Sequence, residues 1–142
     1  MTRTGSAHWA GGIKDGKGTV STASGTLSNA QYSFSTRFEN GIGTNPEELI
    51  AAAHAACFSM ALSAELGKAG MTADSIDTTA SLTLEKTGAG FTITTVHLDV
   101  TAKIPGADER KFNEAALSAK KGCPVSRVLN ANITMNAALV SH

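Results

Sequence analysis

Cys57 and Cys123 are the two cysteines of the chain, far apart in sequence and in no CxxC arrangement. In a reducing compartment a permanent structural disulfide is disfavoured, so such a pair is packed core, a catalytic thiol or a redox couple. Cys57 falls inside the apolar run EELIAAAHAACFSMALSAEL, where a small buried core residue is the plain alternative to a nucleophile. A thiolate in mid-helix has no helix terminus beside it and needs a positive neighbour. Cys123 precedes Pro124 in KKGCPVS, the pattern of an N-cap followed by Pro at the first helical position. A thiol there faces free backbone N–H groups and the positive end of the helix dipole, which favour its thiolate. Local physics therefore makes Cys123 the more easily ionised of the two, with a cap of no further role as its alternative.

Arg37, in SFSTRFENG at the end of a β-type segment, is either a solvated surface charge or a guanidinium aimed at a thiolate and its reaction partner. Glu47 also has two readings, because Thr44-x-x-Glu47 spells a capping box. The four histidines show no metal-ligand spacing. His54, on the apolar helix, is a hydrogen-bonded core residue before it is a ligand, although three residues from Cys57 it could touch that thiol. Two cysteines make no structural zinc site by themselves. Neither a Gly-rich phosphate loop nor a nucleophile elbow occurs.

These residues need elements to hold them. Three β-type segments, around residues 7–10, 18–22 and 32–38, are separated by Gly- and Ser-rich turns. Thr44 or Asn45 then caps a helix with Pro46, Glu47 and Glu48 in its first turn, running about six turns to Gly67 or Gly70. It is apolar nearly all round, so protein must cover it on most sides. Residues 75–86 alternate as a half-buried strand with Ile76, Ala80, Leu82 and Leu84 on one face. Val96, Leu98, Val100, Ala102 and Ile104 give the next strand, and Phe91 and Ile93 lie in the opposite phase, which a bulge near Thr94–Thr95 reconciles. Asp108 caps a second helix through Lys121, a short helix runs from Pro124 to Leu129, and Ile133, Met135, Ala137 and Leu139 mark a last strand. The expected order is βββ-α-ββ-α-β, an α+β fold with antiparallel sheets around a central apolar helix.

At 142 residues the chain is one domain, residues 1–142, or one half of an obligate dimer, and buries about 68% of its unfolded surface. Twelve basic residues balance twelve acidic ones and no basic block stands out, so neither nucleic acid nor an anionic membrane is expected as a partner. The start, MTRTGSAHWAGG, has no apolar h-region, and residues 49–62 form an apolar stretch too short to span a bilayer. A soluble, cytoplasmic protein is the expectation.

The blocks AHW, KGTVST, TRFENGIGTNPEELIAAAHAACFSMAL, SIDTTASLTLEK and KKGCPVSRVLNANIT resemble the OsmC and organic hydroperoxide resistance protein family across nearly the whole chain. Each cysteine sits inside a long matching run. The resemblance implies a thiol peroxidase acting on organic hydroperoxides without a cofactor, with Cys57 peroxidatic and Cys123 resolving. It matches Arg37 and Glu47 to the family's Arg and Glu, which orient the thiolate and the peroxide. It also implies an intertwined homodimer and, as reductant, a dihydrolipoyl group on a partner protein. On the nucleophile the resemblance and the local physics disagree. We follow the resemblance, with Arg37 supplying the charge that mid-helix Cys57 lacks.

Glu47 and Cys57 lie ten residues apart on one helix, about 15 Å along its axis and turned by roughly 80°. A Glu side chain cannot close that gap, so Glu47 serves Cys57 only from a second chain or across a break in the helix. Two other readings stand beside this one. A Cys-dependent hydrolase or acyl transferase would use His54 as base and would not need Cys123. A non-catalytic structural or interaction protein would hold both cysteines as inert packing.

Overall fold

The computed structural model describes residues 1–142, which form two compact units, Met1–Leu49 and Ile50–His142. In the first, strands β1 (Gly5–Ala10), β2 (Lys17–Thr22) and β3 (Ala30–Tyr32) make an antiparallel meander in sequence order. Trp9 of β1 and Tyr32 of β3 lean together across β2, ring centroids 5.5 Å apart. The strand between them carries Gly18, where a Cβ would collide with both rings.

Residues 32–38 were expected to be a third strand. The strand ends at Tyr32, and helix α1 (Phe34–Phe38) follows. A capping box makes the change: the Ser33 side chain accepts from the Thr36 N–H, and the Thr36 hydroxyl accepts from the Ser33 N–H at 2.7 Å. Arg37 thus ends a helical turn, not a strand.

Helix α2 (Pro46–Lys68) starts in the first unit and continues unbroken into the second. It ends in a Schellman motif: Gly70, at φ +79°, donates to Gly67 O, and Met71 N–H donates to Leu66 O. At 23 residues and a mean hydropathy of 1.5, α2 is long and apolar enough to cross a membrane, which corrects the length argument drawn from residues 49–62. Its buried residues are those of a core helix, His54, Phe58, Leu62 and Leu66 at four-residue spacing. Ala52, Ala53, Ala56, Met60 and Ala64 are exposed on the chain alone.

The second unit places α2 and α3 (Glu109–Gly122) on one face of a sheet ordered β4 (Ser75–Thr87), β5 (Gly90–Lys103), β6 (Asn132–Val140). Its core joins Phe58, Leu62 and Leu66 of α2 to Val96, Leu98, Val100 and Ala102 of β5 and Phe112, Ala116 and Ala119 of α3. Each large apolar side chain buried there contributes about 1.5–3 kcal/mol. The β4–β5 register shifts where Thr83 pairs with Thr95 and Leu84 with Ile93, leaving Thr94 as the extra residue of the expected bulge. Asp108 caps α3 through the Lys111 N–H, as expected.

One pairing differs from expectation. β6 runs parallel to β5, so this sheet is mixed where antiparallel sheets were expected. The connection through α3 and the short α4 (Pro124–Val128) carries the chain back to the starting end of β5, and a helical crossover of that length yields a parallel neighbour.

Candidate active site

Two pairs of side chains are brought together, one in each unit. In the first unit Arg37 Nε donates to Glu47 Oε1 at 2.8 Å, joining the last turn of α1 to the first turn of α2. The geometry follows from the cap of α2. Pro46 occupies the first helical position, which makes Asn45 the N-cap, and Asn45 Oδ1 accepts from the Glu48 N–H at 2.7 Å. The amide end of Asn45 donates to Thr36 O, tying α1 to the start of α2. Thr44 Oγ1 donates to Glu48 Oε2 at 2.7 Å. The capping acid is therefore Glu48 and not Glu47, and the expected Thr44–Glu47 box is corrected by one residue. Glu47 is left to face Arg37.

Arg37 uses Nε for this bond, and its guanidinium lies 5.2 Å from the Phe38 ring centroid. It borders an open cleft of about 250 Å³ lined by Trp9, Ile13, Tyr32, Phe34 and Phe38. The pair is partly solvated, with side-chain exposures of 39% for Arg37 and 14% for Glu47.

In the second unit Cys57 and Cys123 are free thiols with sulfurs 2.9 Å apart, the Cys123 thiol donating to Cys57 Sγ. Cys123 is fully buried and Cys57 half-buried. Cys123 is the N-cap of α4 by position, but its side chain makes no capping hydrogen bond. This corrects the expectation that the helix terminus would serve Cys123. A first-turn N–H of α4, that of Val125, instead donates to the Cys57 sulfur. Burial pushes the Cys57 thiol up, the hydrogen bond from Cys123 adds to this, and the Val125 N–H works against it. Within this unit Cys57 is held as a thiol, and a positive neighbour is what it lacks.

His54 lies one turn before Cys57 and is fully buried. Its Nε2 is 2.7 Å from Ser126 Oγ of α4, and burial lowers its pKa, so the ring is neutral near pH 7. The hydrogen bonds of the Cys57 sulfur go to Cys123 and Val125 and not to His54, which leaves a Cys–His hydrolase without its base. No group of three or more His, Cys, Asp or Glu side chains could hold a metal ion. Ser126 and the Val125 N–H were not singled out from sequence. The signal for Ser126 was its spacing, three residues after Cys123, mirroring His54 three residues before Cys57.

The family model for OsmC-like proteins matches residues 39–138, which hold both cysteines and Glu47. The chain belongs to the OsmC family. It is 58% identical to peroxiredoxin OsmC of Escherichia coli (strain K12) over 139 residues, 98% of this chain and 97% of that protein. To the organic hydroperoxide resistance protein OhrB of Bacillus subtilis (strain 168) it is 35% identical over 102 residues, 71% of this chain and 73% of that one. Among solved structures, an organic hydroperoxide resistance protein OsmC from Legionella pneumophila superposes with a TM-score of 0.70 at 25% identity, covering 99% of this chain and 97% of that one. An OsmC-like protein of Vibrio cholerae gives a TM-score of 0.77 at 15% identity over 96% of this chain and 99% of its own, a likeness of fold alone. The α+β class with a long apolar central helix is the fold of these OsmC relatives.

Proposed function

We propose that this OsmC-family protein is a thiol-dependent peroxidase that reduces organic hydroperoxides to alcohols, and that residues 1–142 work as one domain in doing so. The observation that carries the reading is the approach of two free thiols, Cys57 and Cys123, to 2.9 Å. Relatives named peroxiredoxin and organic hydroperoxide resistance protein support the same chemistry.

The Cys57 thiolate attacks the distal peroxide oxygen. The O–O bond breaks, the alcohol leaves with a proton, and Cys57 becomes a sulfenic acid. The Cys123 sulfur attacks Cys57 Sγ, water leaves, and a disulfide closes before a second peroxide arrives. A dithiol then restores both thiols, and a lipoylated protein is the reductant we assign. No metal or organic cofactor takes part. The cytoplasm, where thiols stay reduced between turnovers, suits this cycle.

Arg37 orients the thiolate and the peroxide, and Glu47 orients Arg37. We assign this pair to the Cys57 of a second chain in a homodimer. Helix α2 has no break, so Glu47 and Cys57 of one chain are about 15 Å apart along its axis. The exposed Ala52, Ala53, Ala56, Met60 and Ala64 leave a helix face that a second copy would cover. The aromatic cleft beside Arg37 accepts the organic part of the substrate. Burying three methylenes there would favour a bulky hydroperoxide over hydrogen peroxide about fiftyfold.

The test is thiol titration of reduced protein with cumene hydroperoxide and with hydrogen peroxide. One disulfide per cumene hydroperoxide, formed much faster than with hydrogen peroxide, is expected. Unreacted thiols would sink the reading, and equal rates would sink the role of the cleft.

A further inference from the structure

The buried stripe of α2 is Phe58, Leu62, Leu66 and one polar residue, His54. A histidine is a poor choice for packing alone at this position. Its Nε2 meets Ser126 Oγ at 2.7 Å, while its Nδ1 is buried with no partner. Burial also disfavours its charged form, so the ring sits there neutral and half-satisfied. What it provides that an apolar side chain would not is a bond to α4.

That bond has a particular place. His54 and Cys57 are three residues apart on α2, and Cys123 and Ser126 are three residues apart across the start of α4. The two segments are therefore joined by two antiparallel rungs, His54 to Ser126 and Cys57 to Cys123. Helix α4 has five residues, none of them fully buried, and Val125 and Leu129 pack only partly against the core. A helix this short does not hold itself in place.

We propose that His54 and Ser126 are a positioning pair that keeps Cys123 in register with Cys57 through the redox cycle, an inference that rests on the peroxidase reading above. When Cys57 gains the sulfenic oxygen, the Cys123 sulfur must yield and then return. On return a sulfur–sulfur bond forms and the sulfur–oxygen bond breaks, the oxygen leaving as water with the Cys123 proton. The hydroperoxide has already supplied the oxidation, so the step needs no further oxidant. The His54–Ser126 rung stays closed while the sulfur rung opens, which limits how far α4 drifts. Without it the sulfenic acid waits longer and is exposed to a second hydroperoxide.

The test follows the two steps separately in Ser126→Ala, His54→Phe, the double variant and Ser126→Thr. One equivalent of cumene hydroperoxide gives the rate of thiol loss at Cys57 and the rate of disulfide closure, and mass spectrometry gives the sulfinic fraction at excess peroxide. Ser126→Ala should slow closure about tenfold, the effect of one partly buried neutral hydrogen bond, with a much smaller change in the first step. The double variant should match either single one, because both remove the same contact. Ser126→Thr, which keeps the hydroxyl, should restore closure, a recovery that general loosening of the fold would not give. A second measurement needs no peroxide: the disulfide of Ser126→Ala, made with diamide, should be reduced at about tenfold lower dithiothreitol than the parent's. Closure and exchange unchanged in Ser126→Ala, or effects that multiply in the double variant, would overturn the positioning pair. Parent protein that ignores cumene hydroperoxide would overturn the peroxidase reading instead, and the exchange measurement would still decide the pair.

Discussion

Arg37 and Glu47 meet beside an open aromatic cleft in the first unit, while Cys57 and Cys123 meet against the core of the second. The ion pair keeps much of its hydration, and pairs of that kind contribute only about 0–1 kcal/mol to a fold. Cys57 is held neutral by the opposite means: burial and the neighbouring Cys123 thiol push its pKa up. A charge kept in water and a nucleophile kept uncharged make each pair quiet alone. Reactivity would then come from bringing the guanidinium to the sulfur, which is the task we assign to the second chain.

The largest expected effects separate the two thiols. Cys57→Ser should abolish hydroperoxide consumption and leave Cys123 reduced. Cys123→Ser should consume one equivalent and stop, as a sulfenic acid that over-oxidises with excess peroxide. Stoichiometric thiol counts and mass spectrometry read both. Continued turnover of Cys57→Ser would reverse the assignment and return the nucleophile to Cys123, the residue that local physics favoured.

Next come the charged pair and its reach. Arg37→Ala should lower the second-order rate with cumene hydroperoxide about a hundredfold, as loss of a charge-directed donor does. Arg37→Lys should recover only part of it, because an ammonium lacks the planar fork. The pH profile is the sharper readout. Burial raises the Cys57 pKa, so the rate climbs with pH as the thiolate forms, and a nearby guanidinium pulls that climb to lower pH. Arg37→Ala should therefore move the inflection upward, and Glu47→Gln should move it less. Superimposable profiles would mean that Arg37 never meets the thiolate.

Much of this arrangement was legible in the chain because its signals are local. Pro46, the acidic first turn and Gly70 bracket α2, and the phase change at Ile93 announces the Thr94 bulge. What escaped was set by context. SFSTRF alternates like a strand, yet Ser33 and Thr36 cap each other and bend it into α1. The direction of β6 is not written in its own residues but in the helical crossover before it. Asn45 was readable as the N-cap from Pro46, and it decides that Glu48, not Glu47, is spent on the helix start. In the candidate site the four residues Cys57, Cys123, Arg37 and Glu47 came from motifs. The Ser126 contact required knowing that α4 folds back on α2.

The smallest expected effect tests whether the second unit tolerates charge at all. The folded-state pKa of His54 is lowered by burial, so near pH 7 the ring is neutral in both the folded and the unfolded chain. Below its ordinary value of 6.5 the unfolded chain binds a proton that the folded chain refuses. Stability from this group is thus fully present above pH 6.5 and is lost as pH falls toward the folded value, by at most about 1.4 kcal/mol per pH unit for one proton. Urea unfolding of the parent between pH 7.5 and about 5 should show this loss, and His54→Phe, which cannot take up the proton, should show a shallower slope. Carboxylates are a separate source of acid sensitivity, and a glutamate in a model peptide titrates at about pH 4.3, below that window. The difference in slope between parent and His54→Phe, taken above pH 5.5, isolates the histidine. Parallel slopes there would mean that His54 accepts its proton in place, and the contrast between a hydrated charge in one unit and an excluded one in the other would fail at this residue.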